Sequence, residues 1–240
     1  MKSKFFVPAF VMLGVLSSPS VLAEQKWSDA SLTYLKGDNY KVGDNDRQVM
    51  TFEHASGHNW GDTFFFIDHS VSSDGSKSNY FELAPRVSLS YLSGKELKKG
   101  IIKDVYLAGT MEGSANADNY LYGVGVGLDV PKFKYVNLNL YKANNGKQMD
   151  DEQITATWAL PFQVGNAEFL YDGFIDVSTK QSDHAAETNF TSQIKWNAGK
   201  QLFHTKKPIY VGVEQAQWNN KYGIDGVNES NPSFMIKAHF

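Results

Sequence analysis

Along most of the chain, apolar and polar residues alternate one by one. Over 79–91, Phe81, Leu83, Val87 and Leu89 fall on one parity while Glu82, Arg86, Ser88 and Ser90 fall on the other. That is the two-residue period of an extended strand. The same alternation recurs further on. Val105, Leu107 and Met111 oppose Asp104, Tyr106, Thr110 and Glu112, and Val136, Leu138 and Leu140 oppose Asn137, Asn139 and Tyr141. Ile209, Val211 and Val213 oppose Tyr210, Gly212 and Glu214, and Phe234, Ile236, Ala238 and Phe240 oppose Met235, Lys237 and His239.

Followed from end to end, the pattern predicts strands near 30–36, 48–56, 62–70, 79–91, 102–112, 119–130, 134–142, 152–161, 167–177, 188–197, 208–218 and 233–240. Between them lie stretches such as GDNYKVGDND, SSDGSKSN, KANNGKQMDD and NNKYGIDGVNESNP, whose Gly, Asn and Asp favour turns. Roughly 18 residues per strand and connection suits a membrane-crossing strand of about 9–11 residues plus a turn. Beyond the first 23 residues no segment reads as a helix.

Those first residues have a different character. A short basic start (Met1-Lys2-Ser3-Lys4) leads into an apolar run from Phe5 to Leu16, and small residues end it at Val21-Leu22-Ala23. This reads as a secretory signal peptide, cleaved near Ala23, with 24–240 as the mature domain. The apolar run is too short for a spanning helix, which needs roughly 20 residues. The formal charge of -3 at pH 7 becomes more negative once Lys2 and Lys4 are removed, so bulk charge gives no reason to expect nucleic-acid binding. With no cysteine in the chain, an exported fold has neither disulfides nor a thiolate metal site. Six scattered histidines (His54, His58, His69, His184, His204 and His239) show no metal-ligand spacing, and neither a metal nor a cofactor is expected.

A soluble β-sandwich also alternates. Aromatic residues at strand ends (Tyr80, Tyr91, Tyr120, Tyr122, Trp158, Phe162, Trp196 and Trp218) favour a membrane barrel instead, because such residues form girdles at the two membrane interfaces. So does an alternating last strand that stops on Phe240, the feature by which a barrel assembly machinery would engage the chain. The expected fold is all-β: a single-chain, transmembrane antiparallel β-barrel of about 12 strands in a Gram-negative outer membrane. In the stretch YLYGVGVGLDV the same parity puts Gly123, Gly125 and Gly127 on the lumen face. The glycines there either keep a narrow bore open or allow a strong twist.

The succession NWGDTFFFIDHS, YFELAPRVSLSYLSGK, YLYGVGVGLDV and VNLNLYK resembles the Tsx and OmpK group of nucleoside-specific channel-forming outer-membrane proteins. The most specific parts are Trp60, Asp62, Phe64, Phe66 and Asp68 on one strand and Glu82, Pro85, Arg86 and Ser88 on the next. The resemblance implies a monomeric twelve-stranded barrel whose narrow channel passes nucleosides and serves as a phage receptor, surrounded by outer-membrane lipid and lipopolysaccharide.

The residues bear on that path directly. Asp62, Phe64, Phe66 and Asp68 share one parity, and Glu168, Asp172, Phe174 and Asp176 share another. Since carboxylates facing lipid would be costly, both rows should line the lumen; the alternatives are that inward phenylalanines only fill the bore, or that the apolar run Phe64-Phe65-Phe66-Ile67 takes the opposite parity. Aromatic rings stack on a base and carboxylates accept ribose hydroxyls, which suits a small amphipathic solute. Glu82, Arg86, Asp104, Tyr106 and Lys237 complete the expected lining, with Glu53, Glu112 and Glu214 in ion pairs that stiffen the interior. Arg86 is expected to pair with Glu82.

One stretch, FEHASG, carries a different reading. His54 and Ser56 stand two apart on the presumed lipid face, in the H-x-S arrangement of outer-membrane lipid A deacylases, where a serine nucleophile needs a histidine base within hydrogen-bond reach. No carboxylate is in evident position to orient that histidine.

Overall fold

The computed structural model describes residues 24–240; the expected signal peptide and its cleavage after Ala23 lie outside the described residues. Twelve strands run β1 (Gln25–Gly37), β2 (Arg47–His58), β3 (Gly61–Ser72), β4 (Lys77–Ser88), β5 (Ile102–Ser114), β6 (Asp118–Leu128), β7 (Tyr135–Asn144), β8 (Asp151–Val164), β9 (Ala167–Ser178), β10 (Glu187–Asn197), β11 (Ile209–Asn219) and β12 (Glu229–His239). Each pairs antiparallel with its sequence neighbour, and β1 closes on β12, matching Thr33 with Lys237 and Leu35 with Met235. Closure leaves no edge strand, so each strand has a hydrogen-bonded neighbour on both sides where the wall meets hydrocarbon.

An even strand number returns the chain to the end where it began. The start of β1 and the end of β12 therefore share one end of the barrel, called here the terminal end; the other is the distal end. The connections β2–β3, β4–β5, β6–β7, β8–β9 and β10–β11 lie at the terminal end, and the remaining six at the distal end.

All twelve expected strands are present, extended by a few residues at most ends. Two short helices were not expected. The alternation of 79–91 breaks at Ser88, whose side chain accepts the Tyr91 backbone N–H and caps helix α1 (Leu89–Ser93). Helix α2 (Ala198–Phe203) follows β10 in the same way, capped by Asn197. In both, a side-chain oxygen satisfies an orphan N–H of the first turn, which a strand would have left to the ladder.

Register settles which parity faces inward. The even positions of β3 and β4 sit opposite one another, with Asp62 against Arg86, Phe64 against Ala84, Phe66 against Glu82 and Asp68 against Tyr80, and this set joins the lumen polar residues. The complementary positions, including Met50, Ile67, Leu83, Leu107, Val124, Leu138, Leu140, Ile194, Phe234 and Ile236, are exposed on the outer wall. Exposure there is what a barrel sheathed in lipid requires. Two of the expected girdle residues are misplaced by that reading. Tyr80 faces the lumen, where it touches the Phe66 ring, and Trp218 closes on Tyr222 at the distal mouth.

The glycine row of β6 also faces inward, opposite Ala108, Tyr106, Tyr141, Asn139 and Asn137. It does not line open space. A methyl group on Gly123 would collide with the Leu140 carbonyl, one on Gly125 with the Asn139 amide, and one on Gly127 would touch the Tyr106 ring. The row thus leaves room for the Leu140 carbonyl, the Asn139 amide and the Tyr106 ring to pack against the wall, rather than holding a bore open.

Candidate functional site

The lumen lining is built from residues that the strand period turns inward. The β3 row, Phe64 and Phe66, has ring centroids 6.0 Å apart, and Phe66 lies 5.8 Å from Tyr80 on β4. Phe64 is 39% exposed, so its ring is open to solvent in the bore. Six strands away around the wall, β9 turns Asp172, Phe174 and Asp176 inward opposite Ala159, Thr157 and Thr155. In a twelve-stranded barrel, six strands apart is diametrically opposite. Asp176 acts electrostatically on Glu82 and Glu112 from that side. The β3 and β9 rows thus face each other across one lumen.

The terminal half of the lumen is neutralised by ion pairs. Arg86 donates from Nε and Nη2 to Asp62 at 2.8 and 2.7 Å, and its guanidinium lies 4.5 Å over the Tyr106 ring. Lys195, 1% exposed, donates to both oxygens of Asp172 and to Gln193 Oε1, each at 2.7 Å. Lys237 pairs with Glu53, which also accepts from Ser31 Oγ at 2.8 Å. Asp104 is engaged with the α1 junction, accepting from Ser90 Oγ at 2.6 Å and from Ser88.

The expected Arg86–Glu82 pair does not form. Four residues along a strand separate side chains by about 13 Å, whereas Asp62 sits directly across the ladder from Arg86. Glu82 instead accepts from Tyr80 Oη at 2.7 Å and lies opposite another carboxylate, Glu112.

That arrangement is typical of the distal half, where neutral donors hold the carboxylates. Glu112 accepts from Asn119 Nδ2 at 2.9 Å, Asp68 from Thr51 Oγ1 at 2.5 Å and Asp176 from Thr155 Oγ1 at 2.5 Å. Glu214 accepts from Gln193 Nε2 at 2.8 Å. The ion pairs expected for Glu112 and Glu214 are replaced by these amide contacts.

Loops narrow the distal mouth. The β11–β12 connection makes a tight turn at Lys221–Gly223 in which Tyr222 adopts a left-handed conformation, φ 60° and ψ 31°. Neighbouring loops clamp it: Ala185 N–H donates to the Gly223 carbonyl, Gly223 N–H to Glu187 and Gln148 Nε2 to the Tyr222 carbonyl. Lys221 Nζ pairs with Glu229 at 2.6 Å and sits within 5.2–5.6 Å of the Tyr40, Trp218 and Tyr222 rings. Beside the clamp, buried His184 bonds Asp183 at 2.7 Å and Asp151 at 3.1 Å. Burial opposes its positive charge, but the two carboxylates outweigh that and hold its pKa above the ordinary value. Asp44 ties the β1–β2 loop to the β3–β4 turn by accepting the Asp46 N–H, Ser73 Oγ and the Asp74 N–H; those three bonds draw its pKa down to about 2.

Lys195 and the mouth residues Lys221 and Tyr222 were not singled out from sequence, and Tyr80 was expected at the membrane interface, not in the lumen. Lys195 had a signal, since it alternates with Ile194 and Trp196.

At the H-x-S stretch, Ser56 bonds His58 Nε2 at 3.1 Å, and the described hydrogen bonds include none between Ser56 and His54. His58 stacks on Trp60 with centroids 4.9 Å apart, and Ser56 is 5% exposed. A nucleophile so covered, beside a histidine with no orienting carboxylate among its described contacts, lacks the geometry of a hydrolase.

Known proteins agree with this picture of a pore. Residues 22–235 match the family of the nucleoside-specific channel-forming protein Tsx. The outer membrane protein OmpK of Vibrio parahaemolyticus is 24% identical over 248 residues, covering 92% of this chain and 91% of its own. A second OmpK of that species is 26% identical over 195 residues, covering 70% of this chain and 73% of its own. Among solved structures, the KdgM porin superposes with a TM-score of 0.53 at 9% identity, covering 88% of this chain and 99% of its own. The NanC porin gives 0.50 at 12% identity, covering 89% and 99%; at such identities the likeness concerns the fold. A closed barrel with an apolar outer wall and a polar lumen, matched along almost its whole length by a channel model, places this chain in the Tsx family of outer-membrane channel-forming proteins.

Proposed function

We propose that the barrel passes nucleosides and similar small amphipathic solutes. The observation that carries this reading is the opposition of the β3 and β9 rows, each of which sets phenylalanine between aspartates on the lumen face. A base offers a π-face to Phe64, Phe66 or Phe174, worth about 1–3 kcal/mol per stacked ring. Ribose offers hydroxyl donors to Asp68 and Asp176, and these carboxylates keep acceptor capacity beyond their single threonine bond. The contacts are few and spread along the bore, as conduction requires, since a solute held too firmly would not leave.

Single-channel recording in planar bilayers tests the reading. Nucleosides should block ion current more strongly than sugars of equal size, and Phe66→Ala should reduce that discrimination by about fivefold or more, the equivalent of one stacking contact. Equal block by adenosine and by a disaccharide, or discrimination unchanged in both Phe66→Ala and Phe174→Ala, would refute it. The distal loops are the surface a bacteriophage would meet, and adsorption to cells carrying the barrel checks that role.

A further inference from the structure

The two ends of the barrel differ in charge. The terminal-end connections hold Lys95, Lys98, Lys99, Lys132, Lys134, Lys200, Lys206 and Lys207 against only Glu96 and Asp129. The distal loops reverse the balance, with Asp38, Asp44, Asp46, Asp74, Asp150, Asp183 and Asp225 against Lys41, Lys147, Lys180 and Lys221.

The lysines accompany large exposed apolar side chains. In α2 the small residues Ala198 and Gly199 are buried, the latter packed so closely on Thr205 and Ile209 that a methyl group would collide. That docking turns Leu202 and Phe203 outward, 57% and 72% exposed, with only His204 and Thr205 between them and Lys206 and Lys207. In α1, Ser88 and Ser90 are bound to Asp104, and Leu92 is left 56% exposed beside Lys95. The helices follow β4 and β10, six strands apart, so they stand on opposite sides of the rim. Trp196, at the end of β10, donates its indole N–H to Gln201 of α2, which joins the helix to the aromatic level of the outer wall.

From this placement we infer that α1 and α2, with Lys95, Lys99, Lys206 and Lys207, are a paired anchor for anionic phospholipid head groups of the leaflet at the terminal end. Apolar side chains at the height of the head groups with lysines beside them make the pattern of an interfacial segment, in which rings and leucines enter the acyl boundary and ammoniums meet phosphates. An even-stranded barrel inserted from the periplasm returns its terminal end to that side, and the leaflet there is phospholipid. The occupant must be apolar and anionic at once, which lipid satisfies and a free anion does not. Anchors at opposite points of the rim would also hold the barrel upright. The inference does not depend on which solute passes the lumen.

The test reconstitutes the full barrel in vesicles of phosphatidylcholine containing one-tenth phosphatidylglycerol, extracts it in nanodiscs and measures the lipid that stays bound. Each lysine near an anionic surface shifts partition about fivefold before salt screening, so phosphatidylglycerol should be enriched severalfold at low salt and much less at high salt. A variant with Lys95, Lys99, Lys206 and Lys207 changed to Gln should lose the enrichment while conducting normally. Leu202→Ser with Phe203→Ser should lower it without altering its salt dependence. No enrichment in the native barrel, or enrichment that survives the lysine changes, overturns the anchor. Displacement by millimolar inorganic phosphate would show a simple anion site and overturn it as well.

Discussion

In the terminal half of the lumen Asp62, Asp172 and Glu53 each meet a cation, whereas in the distal half Asp68, Glu82, Glu112, Asp176 and Glu214 meet hydroxyl and amide donors. In both arrangements each carboxylate accepts at least one hydrogen bond or meets a cation. The two arrangements leave different fields behind. An ion pair cancels its charge locally and ties two strands together, so it acts on the stability of the wall. A neutral donor supplies the hydrogen bond but no opposite charge, so these carboxylates lack the local cancellation that cations provide in the terminal half. Carboxylates thus act as struts in one half and form a candidate filter in the other, which is expected to influence ion selectivity.

The largest effect is expected from breaking a strut. Lys195→Met leaves Asp172 uncompensated in the wall, and loss of one partner of a buried pair costs about 3–5 kcal/mol. The temperature at which the folded band is lost on a semi-native gel should fall markedly, and Lys195→Met with Asp172→Leu should recover most of it. A single variant as stable as the native barrel would remove the distinction between the halves. A smaller change is expected from the filter. Glu82→Gln with Glu112→Gln should lower cation over anion permeability, read as a shift of reversal potential across a salt gradient. Stability should hold or rise, because like charges facing each other on a ladder are unfavourable. Unaltered selectivity would mean that the distal carboxylates carry no net field.

The smallest effect is at the distal mouth. His184, whose charged form Asp183 and Asp151 favour, stands by the Gly223 turn and by Glu187. A histidine with a raised folded-state pKa contributes its full stabilisation below the unfolded value, about 6.5, and loses it as pH rises through the higher folded value. Proteolysis of the 220–228 loop should accordingly quicken on going from pH 6 to pH 8.5. In His184→Gln that pH dependence should flatten, and a native loop cleaved equally fast at both pH values would contradict the clamp.

Much of the lumen could be read from the chain because facing is a local property. A two-residue period assigns Asp62, Phe64, Phe66, Asp68, Asp172, Phe174 and Asp176 to one side whatever the rest of the molecule does. Partnership is not local. Arg86 and Glu82 look like neighbours in sequence, yet Asp62, 24 residues away, takes the guanidinium. Tyr80 and Trp218 looked like interface aromatics because they stand at strand ends, although they share the parity of Glu82 and Glu214 that the same period turns inward. At 79–91 the alternation runs on past Ser88, and only the capping bond to Tyr91 turns the chain into a helix.

The sequence by itself determined the number of strands, their approximate extent and the lipid and lumen faces, because each rests on a period that short segments carry alone, while the class of channel came from the resemblance of several strands to the Tsx and OmpK group. The tertiary structure decided which lumen carboxylates meet cations, how the glycine row is filled, where the short helices stand and how the distal loops close over the mouth. Those outcomes depend on register and on closure of β1 against β12, which joins Thr33 to Lys237, and on a curvature that brings β9 opposite β3. No window of neighbouring residues contains that information, since it arises only when all twelve strands are hydrogen-bonded into one ring.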